Sequence, residues 1–105
     1  MPQDAPQGSP FLLRAKVRVP QNVVFRRFPA ETVVLNLQTG KYHGLNPTAG
    51  RMLEALAESV SVSEAVEAIA AEYDRPAAGV ERDVQDLCQA LLDRGLIETE
   101  DLTAD

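Results

Sequence analysis

Val33-Val34-Leu35-Asn36-Leu37-Gln38-Thr39-Gly40-Lys41-Tyr42-His43-Gly44-Leu45-Asn46-Pro47 is the stretch whose reading decides the fold. Two runs with alternating apolar residues, Val33–Leu37 and Lys41–Leu45, flank Gln38-Thr39-Gly40. That pattern predicts a β-hairpin, with glycine where the loop needs a positive φ. Asn46-Pro47 then predicts a helix start, the asparagine capping free N–H groups and the proline in the first helical position. A hairpin feeding directly into a helix leaves Lys41–Leu45 as a candidate sheet edge.

Upstream, Val23-Val24-Phe25-Arg26-Arg27-Phe28 is a short β-branched and aromatic run between Pro20 and Pro29. It predicts a first strand, a turn at Pro29-Ala30-Glu31, and a second strand over Thr32–Leu37. The result is a three-stranded antiparallel meander, which needs helices on one face to be stable. Three helical patterns follow. Ala49, Met52, Leu53 and Leu56 share one face of a helix from Pro47 to about Glu58. Ser61-Val62-Ser63-Glu64 has the form of a capping box, with Glu64 reaching back to Ser61. Behind it, Val62, Ala65, Val66, Ile69, Ala70 and Tyr73 keep helical spacing until Arg75-Pro76. The third helix runs from about Ala77 to Arg94, with Val80, Val84, Leu87, Cys88 and Leu91 inward and Gly95 at its left-handed end. The fold class is therefore α+β and winged-helix-like, in the order β-β-β-α-α-α. Residues 1–20, rich in proline at their start, are expected to be a flexible arm. Residues 21–97 form the folded domain, and 98–105 an acidic, frayed tail. Phe11-Leu12-Leu13, Val17 and Val19 temper that view, since apolar residues in an arm add an edge segment or dock on a partner.

At 105 residues the chain is one domain. A single cysteine and a single histidine exclude a disulfide framework and a Cys-based zinc site within one chain. With no signal peptide and no membrane-length apolar run, the expected compartment is the reducing cytoplasm. The net charge of −6 is unevenly spread. Residues 1–52 carry seven basic and two acidic side chains, and residues 53–105 carry three and fourteen. Different faces can therefore present different fields.

Catalysis finds no support. Cys88 lies on an apolar helical stripe and reads as a small buried hydrophobe. His43 sits on a strand with no second histidine and no acid within four positions. The glycines form neither a dinucleotide fingerprint nor a phosphate loop. Winged-helix topology raises the alternative of a DNA-binding regulator. A recognition helix should be basic, however, and the third helix sets Glu81, Asp83, Asp86 and Asp93 against Arg82 and Arg94. Arg14, Lys16, Arg18, Arg26 and Arg27 lack aromatic residues spaced for stacking on RNA. What remains is strand addition: an extended peptide pairing with the Lys41–Leu45 edge. A second wall would come from Asp83, Leu87, Ala90 and Arg94, a stripe beside the core face of the third helix. From spacing alone the edge is either open to a peptide or covered by the third helix or the arm. An open edge can also pair with its own copy, giving a homodimer.

The run Val33–Thr48, with Tyr73 and the helix end Leu91-Leu92-Asp93-Arg94-Gly95-Leu96, resembles the PqqD family over about Val23 to Ile97. The resemblance implies a RiPP recognition element, a non-catalytic domain without a cofactor or metal of its own. Such a domain binds the leader of a ribosomally made precursor peptide and presents it to a modifying enzyme. In PqqD itself that enzyme is a radical SAM protein and the product is pyrroloquinoline quinone. Related domains serve lasso-peptide systems, where the partner is a leader peptidase. The implied peptide contacts are Lys41, Tyr42, His43 and Leu45 on the strand, with Asp83, Leu87, Ala90 and Arg94 on the helix. The proline-rich start departs from the minimal domain, and the signature is shared by branches that make different products.

Overall fold

A computed structural model describes residues 13–101. Among these residues the elements follow one another as β1 (Ala15–Arg18), β2 (Val23–Arg27), β3 (Thr32–Asn36), β4 (Tyr42–Leu45), α1 (Pro47–Glu58), α2 (Val62–Tyr73), α3 (Ala77–Asp93) and β5 (Glu98–Asp101). The expected meander is β2-β3-β4, antiparallel throughout. Its hairpin loop is organised by Asn36, whose Oδ1 accepts from the N–H groups of Gln38 at 2.9 Å and Thr39 at 3.2 Å. Gly40 closes the loop at φ 77°, the left-handed region the sequence assigns to glycine.

The helices begin and end for local reasons. At α1, Asn46 Oδ1 accepts from Ala49 N at 2.8 Å, with Pro47 in the first turn. At α2, Ser61 Oγ accepts from Glu64 N at 3.1 Å. The returning Glu64 carboxylate takes the N–H of Val60, one residue earlier than the expected Ser61. Asp74 ends α2 in the left-handed region at φ 52°, before the Arg75-Pro76 stop. The end of α3 is a Schellman motif: Leu96 N donates to Leu91 O at 2.9 Å and Gly95 N to Leu92 O at 3.0 Å, with Gly95 at φ 70°.

The apolar stripes converge on one core. Val23 and Val34 enter it from the sheet, Met52, Leu53 and Leu56 from α1, Val62, Val66 and Ile69 from α2, and Val80, Val84, Cys88 and Leu91 from α3. Gly50 lets α1 lie against β3, because a Cβ there would collide with the Thr32 side chain. Tyr73, expected inward at the end of α2, is 39% exposed.

Residues 15–18 and 98–101 depart from the expected arm and tail. They pair as an antiparallel ribbon in the register Ala15↔Asp101 to Arg18↔Glu98. The alternation explains it: Ala15 and Val17 are buried in the core, while Lys16 and Arg18 lie opposite Glu100 and Glu98. The basic start and acidic end of the chain thus meet as cross-strand neighbours. Lys16 Nζ also donates to the carbonyls of Ala57 at 2.9 Å and Ser59 at 2.6 Å, at the C-terminal end of α1. The outer parts of the expected arm and tail, residues 1–12 and 102–105, lie outside the described residues.

Candidate peptide-binding edge

Hydrogen bonds alternate along an antiparallel strand, so their register decides which backbone groups β4 leaves over. Asn36 N donates to Lys41 O at 2.9 Å, and Val34 pairs with His43 and Thr32 with Leu45. On the other side of β3, Leu37 N donates to Asn22 O and Phe28 N to Glu31 O. The even-numbered residues of β3 therefore bond β4, and the odd-numbered ones bond β2. On β4 it follows that Lys41, His43 and Leu45 turn their backbone groups inward, while Tyr42 and Gly44 turn theirs outward. Among the described residues no strand pairs with that outer edge.

The side chains divide by the same alternation. His43 and Leu45 are half-buried on the helical face of the sheet, where Leu45 packs against the core. Lys41, on the same face, is exposed. Tyr42 points to the opposite face and is 71% exposed. That face is unusually apolar. Val24, Phe28 and Tyr42 are exposed on it, and Val24, Arg26, Phe28, Val33 and Leu35 line an open cavity of about 270 Å³ there.

The helical candidates share one flank of α3. Asp83 is exposed and pairs with Arg75 at 2.9 Å. Leu87 and Ala90 are half-buried, and Arg94 is the exposed C-cap residue. The opposite flank is closed, since Gln85 is only 2% exposed. β4 packs on β3 and α1, whereas α3 packs chiefly on α2 and also on α1. The strand and helix candidates therefore form two separate walls with α1 as their common neighbour. Neither α3 nor the described part of the expected arm covers the β4 edge.

Little here suits covalent or metal chemistry. Burial pushes the Cys88 thiol up to about 12, so it stays protonated and unreactive at neutral pH. Among the described residues no three His, Cys, Asp or Glu side chains are grouped to hold a metal ion. No helix of the described residues is long and apolar enough to cross a membrane.

Residues 31–97 match the family model described as Coenzyme PQQ synthesis protein D. The chain belongs to the PqqD family. A solved structure described as TbiB1 in complex with the TbiA(beta) leader peptide is 38% identical, with 84% of this chain and 99% of that chain aligned at a TM-score of 0.69. A lasso peptide synthetase B1 complexed with its leader peptide shares the fold at 23% identity and a TM-score of 0.70, aligned over 79% of this chain and 98% of that chain. No curated protein matches the chain. PqqD-family proteins are non-catalytic peptide-binding proteins.

Two residues at the edge were not among the sequence candidates. Gly44 offers outward backbone groups and no side chain. Glu31 fills that gap: its Oε1 lies 2.6 Å from where a Cβ of Gly44 would stand. The signal for Gly44 was its place in the alternation. Glu31 carried none, because it reaches the edge only across the register of two strands.

Proposed function

We propose that this chain binds the leader segment of a ribosomally synthesised precursor peptide as an added strand on β4. It then presents the peptide to a separate modifying enzyme. The observation that carries the reading is the edge itself: Tyr42 and Gly44 direct N–H and C=O groups outward, and among the described residues no strand pairs with them. Strand addition satisfies such groups directly, and alternate side chains of the peptide then read the two faces. The 38% identical TbiB1 was solved with a leader peptide, which supports the same ligand class for this chain.

On the helical face, Lys41, His43 and Leu45 supply one wall, and Asp83, Leu87, Ala90 and Arg94 the other. The partner enzyme is a radical SAM protein if the chain serves pyrroloquinoline quinone or a related product, and a leader peptidase if it serves a lasso-type system. Both assignments place the work in the cytoplasm. The DNA-binding alternative is disfavoured by Asp83, Asp86 and Asp93, all exposed on α3, which would face phosphates.

The test is an amide chemical-shift titration with the leader of the short precursor peptide encoded nearest to this chain. Shifts concentrated at residues 41–45 and 83–94 are expected. Shifts confined elsewhere, or none at millimolar peptide, would sink the reading. A duplex-DNA arm should give no saturable shifts at physiological salt.

A further inference from the structure

If β4 takes up a peptide strand, its outer face has one polar feature that acts on the residue opposite Gly44. Glu31 immediately precedes β3, and its carbonyl is fixed by the N–H of Phe28 at 2.7 Å. Like Val33 and Leu35 it projects to the outer face, away from the helices. Gly44 shares that face, and because it has no side chain the Glu31 carboxylate lies over it, at the sheet's open edge. Among the described residues this carboxylate has no hydrogen-bond or ion-pair partner. Arg26, in the cross-strand row of Val33 and Gly44, makes no ion pair with it. The outer face from Gly44 toward Tyr42 is otherwise apolar, through Val33 and the row Val24–Leu35–Tyr42.

A strand added to β4 places one residue directly beside Gly44, with side chains about 5 Å apart on the same face. That residue meets not a Gly44 side chain but the Glu31 carboxylate. We propose that Glu31, reaching across the gap at Gly44, selects extended peptides carrying Lys or Arg at the position facing Gly44. This rests on the reading of β4 as a peptide-binding edge and gives it a substrate class. The peptide is extended, cationic beside Gly44, and aliphatic or aromatic two residues away, where Tyr42 stands. The pair is exposed, so its effect is on selectivity more than on affinity: Lys is favoured over Glu at that position by about five- to tenfold, less at high salt.

The experiment pans a random linear peptide library against the full-length chain and its Glu31→Lys variant. Binders are then sorted by whether Tyr42→Pro abolishes their capture. Those that depend on Tyr42 are edge binders. They should share Lys or Arg at one fixed position with the wild-type chain and Asp or Glu there with Glu31→Lys. One consensus peptide made with Lys, Gln and Glu at that position completes the test. The Lys-to-Glu affinity ratio should fall from about five- to tenfold toward unity with Glu31→Gln. Edge binders with the same preference on both proteins would overturn the role of Glu31 while leaving the edge as the binding site. A selection yielding no Tyr42-dependent binders would overturn the edge reading, and this proposal with it.

Discussion

Gly50 is the residue on which the joint between sheet and helices depends. Its missing Cβ is the space taken by Thr32 on β3. Gly50→Ala favours the helix locally but overpacks this contact, and it should destabilise the protein by about 1–3 kcal/mol in urea unfolding. Cys88 gives a second test, in pH. Its thiol ionises near 9 when unfolded and near 12 when buried. Only the unfolded chain releases this proton between those values, so the thiol's stabilising contribution is complete below pH 9 and is lost as pH rises toward 12. Cys88→Ala should lower stability at neutral pH through the lost volume. Between pH 9 and 11 its stability should fall less steeply than that of the wild type, as read from parallel denaturation series.

The register of β4 makes neighbouring substitutions behave differently. Tyr42 directs its N–H outward, so Tyr42→Pro removes a group that only an added strand would use. Leader binding should weaken about fivefold or more beyond the effect of Tyr42→Ala, with the circular dichroism spectrum unchanged. His43 directs its N–H into the ladder with Val34. His43→Pro should therefore break the hairpin and lower the melting temperature before any binding is measured. The elements themselves were largely legible in the sequence. Asn46-Pro47, Ser61, the Arg94-Gly95-Leu96 helix end and the Gly40 turn act locally, and each appears where its chemistry predicts. The edge position of the third meander strand was legible too, because consecutive short-looped strands pair in order. What escaped was non-local: the β1–β5 ribbon joins residues eighty or more positions apart, and although Val17 and Val19 hinted at an edge segment, nothing local pointed to residues 98–101 as its partner.

For the whole molecule, the ribbon converts the charge imbalance of the two halves into contacts. Arg18 reaches Glu100 at 3.4 Å across the ribbon, an exposed pair of small value. Lys16 carries more, since its ammonium satisfies two carbonyls at the C-terminal end of α1. Lys16→Ala should cost about 1–2 kcal/mol. Hydrogen exchange should then quicken at residues 98–101 and at the C-terminal end of α1, while β4 keeps its protection. Exchange that quickens uniformly would mean that the ribbon is not a separate unit.

The sequence by itself determined the meander, the three helices, their caps and the apolar stripes that form the core. These follow from spacing and from contacts a few residues apart. It also carried the family likeness, because the hairpin, glycine turn and helix cap occur in one fixed register. Tertiary structure alone decided which β4 groups point outward, that neither α3 nor the ribbon covers the edge, and that Glu31 lies over Gly44. Each of these depends on pairing between distant or laterally adjacent strands, and such pairing is fixed only when the core closes.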